Sequence, residues 1–116
     1  MIEAVITRNS GGQVVGIKVS GHSGYATSGS DIVCAAVSAI VQTAILGLRN
    51  VQGVDVRDRT GDGELECRIG RTTGREALCR TDAITSTMVL GLKDIEQSYG
   101  EYLKVRICDI AEVSSR

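Results

Sequence analysis

The chain has a single histidine, His22, and one of its four cysteines, Cys34, follows twelve positions later. Between them lies Gly21-His22-Ser23-Gly24-Tyr25-Ala26-Thr27-Ser28-Gly29-Ser30, a loop with three glycines that leads into an apolar, Ala-rich run. A thiol attacks poorly until it ionises. Ionisation is favoured near the start of a helix, where unpaired N–H groups and the positive dipole end face outward, and by an imidazole able to take the proton. With Ser30 as N-cap, Cys34 is predicted at the fourth helical position, in or near the first turn. The competing reading is that Cys34 is a small core residue, since cysteine is among the residue types most often buried. Asp31 divides in the same way. It could orient the imidazole as the third member of a Cys-His-Asp set, or serve only as a carboxylate at the helix start, and the residues alone favour the second. Backbone N–H groups of the Gly29 to Cys34 turn are candidate oxyanion donors.

Other chemistry fits less well. Gly24 to Asp31 reads G-x-x-x-x-G-S-D between a strand and a helix, near the phosphate-loop pattern. Ser30 stands where that pattern needs lysine, which leaves at most a weak anion-binding module. One histidine and no C-x-x-C pair give no zinc-like spacing, so no metal or other cofactor is expected. Cys67 lies on the apolar phase of a strand and reads as core; Cys79 and Cys108 have neither a histidine nor a cap beside them. Six arginines between Arg57 and Arg80 alternate with acids, the pattern of a solvated face. They are also the basis for an alternative, non-enzymatic ribosome- or RNA-associated module.

The elements that must hold these residues follow from periodicity. Ile2 to Arg8 and Val14 to Ser20 read as a hairpin turned at Asn9-Ser10-Gly11-Gly12, with Val15, Ile17 and Val19 on one face. Val33, Val37, Ile40, Ala44 and Leu48 form the apolar stripe of the first helix, and Cys34, Ser38 and Gln42 lie on an adjacent, less apolar face. Val54 to Arg59 and Glu64 to Gly70 make a second hairpin. Thr73 and Glu76 have capping-box spacing ahead of a second helix, with a stripe of Ile84, Met88, Leu92, Ile95 and Tyr99 and Gly100 at its end. Leu103 to Cys108 alternates as a last strand. The order is ββαββαβ: a two-layer α+β fold, mainly antiparallel, with both helices on one face of the sheet and one domain over residues 1–116.

A net charge of −1, from 13 basic and 14 acidic residues, supplies no overall field to draw in nucleic acid, so no direct nucleic acid partner is expected. The amino end has neither the basic nor the apolar region of a secretory signal. A cytoplasmic protein with reduced thiols is therefore expected. Ile32 to Leu48 carries Ser38, Gln42 and Thr43, falls short of about 20 predominantly apolar residues, and is read as a core helix with no membrane partner.

Gly21-His22, Gly29, and Asp31-Ile32-Val33-Cys34-Ala35-Ala36-Val37-Ser38 together resemble the signature of the ribosomal-processing cysteine protease family, Prp. The resemblance implies an endopeptidase that removes a short N-terminal extension from a large-subunit ribosomal protein, the one numbered twenty-seven. It implies His22 and Cys34 as a catalytic dyad and Asp31 as a possible third member. It also implies that Gly21 is a hinge, with Gly24 and Gly29 in a mobile loop, and that the protein is a homodimer. Ser23 stands where members often have Ala, and Thr27-Ser28 where bulkier residues are common, which bears on substrate preference more than on catalysis.

Overall fold

In a computed structural model, which describes residues 1–21, 28–61 and 63–110, the alternating segments form β1 (Ile2–Arg8), β2 (Val14–Ser20), β3 (Val54–Gly61), β4 (Glu64–Thr72) and β5 (Leu103–Asp109). The two 3.6-period segments form α1 (Ser28–Arg49) and α2 (Arg75–Ser98), so the order is the expected ββαββαβ. The strands make one sheet in the order β3-β4-β2-β1-β5. All neighbours are antiparallel except β1 and β5, which run parallel.

One face of the sheet is apolar. Ile2, Ala4 and Ile6 of β1, Ile17 and Val19 of β2, Leu65, Cys67 and Ile69 of β4 and Leu103 of β5 are all buried there. Val15 departs from the expected pattern. A register shift between Thr7 and Arg8 sets Arg8 opposite Val14, and Val14 takes the buried position while Val15 is half-buried. The opposite face carries charges paired across strands, such as Arg106 with Glu3 and Lys18 with Glu64. At one end of β1 the Arg8 guanidinium donates to both oxygens of Asp109 at 2.7 and 3.0 Å, which holds that carboxyl below its usual range.

Both helices cover the apolar face, α1 over β3 and α2 over β5, and they pack on each other. Glycines let them approach: a Cβ on Gly47 would lie 3.4 Å from Ile84, and one on Gly91 would lie 3.3 Å from Ile40. The buried stripe of α1 is Val33, Val37, Val41, Ala44, Ile45 and Leu48, with Ile40 half-buried on the flank that meets α2. By length and composition Ile32–Arg49 could cross a membrane, yet here that stripe seals a sheet. In α2 the stripe begins with Ala77, Thr81 and Thr85 before reaching Met88 and Leu92. Thr85 is accommodated because its hydroxyl donates back to the Thr81 carbonyl at 3.0 Å. Tyr99, expected in the stripe, is about half exposed.

Three expected helix ends are corrected. α1 begins at Ser28, not beyond a Ser30 cap. The Thr73/Glu76 capping box does not form: Gly74, at φ 98°, is the N-cap and no side chain caps it. The Thr73 N–H instead donates to the Gly53 carbonyl at 2.7 Å, and Glu76 turns to Arg80 one turn along. At the other end Tyr99, not Gly100, closes the helix, its N–H donating to the Ile95 carbonyl.

Leu92 is completely buried between α2 and the sheet. Leu92→Ala should cost about 2–5 kcal/mol of stability, measured by urea unfolding. A loss below about 1 kcal/mol would mean that the two layers are not held together at this point.

Candidate active site

β2 ends at Ser20, and its neighbour Gly21 has φ 99°, a conformation open to glycine and strained for other residues. Gly21 also meets the first residue of the chain closely, since a Cβ built on it would lie 2.2 Å from the Met1 carbonyl oxygen. Space and backbone therefore both require glycine where the chain leaves the sheet. The next residue is His22. His22 and Gly24 lie outside the described residues; Gly29 and Asp31 fall in the first turn of α1, where the backbone is described and the side chains are not.

Cys34 is the seventh residue of α1, counting from Ser28, rather than the fourth. Helices extend over poor formers such as Ser and Gly when packing further along holds them, because propensity is a weak prior. The shift changes the chemistry expected of the site. The unpaired N–H groups belong to the first four residues and the dipole effect fades within the first turn, so both act on Cys34 weakly. Cys34 is half-buried and packs against the rim of the core, while its neighbours Val33 and Val37 are fully buried.

The other thiols are arranged as their sequence contexts suggested. Cys67 is buried in the sheet, and burial pushes its thiol pKa up despite the nearby Arg49 guanidinium. Cys79 and Cys108 are exposed. A raised thiol pKa adds stability that is complete below the ordinary thiol range and is lost as pH climbs toward the folded-state value. Cys67→Ala should therefore flatten the decline in stability above about pH 9, read from urea midpoints across the alkaline range. A decline identical to wild type would show that Cys67 does not contribute. Among the described residues no group of three or more His, Cys, Asp and Glu is placed to hold a metal ion.

The face of α1 that carries Cys34 has a defined neighbour. At about 100° per residue, Cys34, Ser38, Gln42 and Arg49 fall on one flank, opposite the Ile40 and Gly47 flank that meets α2. The Cys34 flank turns toward the edge strand β3, where Arg49 pairs with Asp58. Between these elements lies a small cavity lined by Gln42, Ile45, Leu46, Asp58, Thr60 and Leu65. No pattern in the chain announces it, because its two walls are separated in the chain and only tertiary packing joins them. The arginine-rich segment is a mixed-sign surface: Arg57 pairs with Asp55, Arg59 and Arg68 with Glu66, and Arg80 with Glu76.

The two-layer fold sets a half-buried cysteine, Cys34, on its first helix, and a thiol so placed is the kind of group a thiol peptidase uses. The family model for cysteine protease Prp matches residues 1–104, and the chain belongs to that family. It is 32% identical over 108 residues to a ribosomal processing cysteine protease Prp of Staphylococcus aureus, covering 90% of this chain and 97% of that one. It is 27% identical over 107 residues to the protein of the same name from Bacillus subtilis, covering 90% and 96%. Among solved structures, a Staphylococcus aureus ribosomal processing protease Prp in complex with a substrate peptide superposes with a TM-score of 0.79 at 25% identity, over 92% of this chain and 99% of that one. The Staphylococcus aureus protease with a covalently linked product peptide gives 0.77 at 27% identity, with the same coverage.

Proposed function

We propose that this protein is a cysteine endopeptidase that removes the N-terminal extension of large-subunit ribosomal protein twenty-seven, with Cys34 as nucleophile and His22 as its base. The observation that carries this reading is the position of Cys34, half-buried on α1, in a chain that aligns almost end to end with peptide-bound proteases of the same fold. His22 takes the thiol proton, and the Cys34 sulfur attacks the scissile carbonyl carbon. As the C–N bond breaks, the imidazolium returns that proton to the leaving amine, and a thioester to Cys34 remains. Water, deprotonated by the same imidazole, releases the new carboxylate and restores the thiol. Because α1 starts three residues earlier than a Ser30 cap would allow, Asp31 lies inside the helix, and its part is that of a first-turn carboxylate.

Closure of the segment that joins Gly21 to α1 over a bound peptide would bring the ring to the sulfur. This reading puts the enzyme in the cytoplasm, where its substrate is made, and it carries the homodimer that the resemblance implies. The test is mass spectrometry of the extended ribosomal protein after incubation with wild type and with Cys34→Ala. Wild type should yield a single shortened product and the variant none. Equal cleavage by both, or by neither, would overturn the assignment.

A further inference from the structure

We propose that the cavity between α1 and the edge strand β3 is a specificity subsite of this peptidase, taking one apolar side chain of the substrate about four residues from the scissile bond. The inference rests on Cys34 being the nucleophile and goes beyond it in saying how the remainder of the peptide is read. The cavity has a volume of about 140 Å³, the size of one large aliphatic or aromatic side chain. Its floor is apolar, formed by the buried Ile45 and Leu65, and Leu46, 66% exposed, stands at its mouth. Gln42 and Thr60 supply polar groups at the rim, and the Arg49–Asp58 ion pair closes one end.

Its position relative to the nucleophile sets the register. Gln42 is eight residues beyond Cys34 on the same flank of α1, which is about 12 Å along a helix rising 1.5 Å per residue. An extended peptide covers that distance in about four residues at 3.3 Å each. Past the cavity, on the side away from Cys34, the path continues along β3, whose Thr60 stands by Gln42 and Leu46 and whose Asp58 stands by Arg49. β3 is an edge of the sheet and, among the described residues, has no strand on its outer side, so its outward N–H and C=O groups are open to an extended chain. At the other edge, the Glu96 carboxylate reaches across from α2 and accepts the Val105 N–H at 2.9 Å, which occupies a group on β5 that an added strand would need. One edge is stopped and the other is open, and the open one lies on the Cys34 side of α1.

The experiment compares two fluorogenic peptides spanning the cleavage junction of the ribosomal protein precursor, one with at least six residues on each side of the bond and one trimmed to three on each side. Leu46→Glu places a charge at the mouth of the cavity without touching the core. It should lower kcat/KM for the long peptide about tenfold or more, chiefly through KM. The trimmed peptide, which does not reach the cavity, should be cleaved by wild type and variant alike. Gln42→Trp, which fills the cavity from the rim, should give the same pattern. Unchanged kinetics on the long peptide in both variants, or equal losses on both peptides, would overturn the subsite while leaving the peptidase intact. Failure of wild type to cleave either peptide would overturn the peptidase reading and the subsite together.

Discussion

Cys34→Ala should fold normally and cleave nothing. The side chain is half-buried at the rim of the core, and alanine fits both the helix and its Ala35-Ala36 surroundings, so stability should change by no more than about 1 kcal/mol. On the proposed mechanism the reaction, in contrast, loses the atom that forms the thioester. Removing a nucleophile from a protease of this kind typically costs on the order of 10⁴ to 10⁶ in kcat, because residues that act as a unit fail as a unit. Thermal unfolding and single-turnover cleavage, measured on the same preparation, separate the two effects. A variant that unfolds early would return Cys34 to the core, and one that still cleaves would place the chemistry elsewhere.

Gly21→Ala should damage both stability and activity. The new Cβ would stand 2.2 Å from the Met1 carbonyl oxygen, where backbone cannot yield cheaply. The Ile2 N–H that follows is tied to the Tyr102 carbonyl at 2.8 Å, so the start of β1 is held in place. Added to the strain of a φ of 99° on a residue with a side chain, the cost should be about 1–3 kcal/mol, or a fall in Tm of roughly 4–12 °C. Relief comes most easily by displacing the chain after Gly21, which begins with His22. A loss of kcat/KM of at least about tenfold is therefore expected even at temperatures where the variant is fully folded, since small misplacements of a catalytic group are costly. Wild-type Tm together with wild-type cleavage would show that Met1 and Gly21 do not constrain the loop.

The layers of this fold are visible in the chain because each strand alternates and each helix repeats at three and four, which is why the ββαββαβ order could be read directly. Pairing is a different matter. Nothing in Leu103 to Asp109 says that this strand lies parallel to β1, because that choice is made when α2 brings the chain back across the sheet. Helix ends depart from local rules where tertiary demands intervene. Thr73 gives up its cap because its N–H is needed by Gly53, and Ser28 and Gly29 become helical because the residues beyond them are held by packing. Thr81 and Thr85 do not read as core because each carries a hydroxyl; the helix backbone accepts that of Thr85, and that of Thr81 is buried without a partner among the described residues. At the site, Cys34 and its glycine-rich approach announce themselves by residue type. The walls of the β3 cavity do not, because Leu46 and Thr60 belong to different elements and carry no chemistry of their own.

The central claim is that the Cys34 sulfur becomes acylated by the substrate. Rapid quenching of wild-type protein with the long precursor peptide, followed by proteolytic mapping and mass spectrometry, tests it most directly. The account predicts a transient mass increase equal to the N-terminal fragment less one water, located on the segment containing Cys34 and lost on treatment with hydroxylamine. Cleavage with no adduct on that segment, or with the adduct on Cys79 or Cys108, would contradict it.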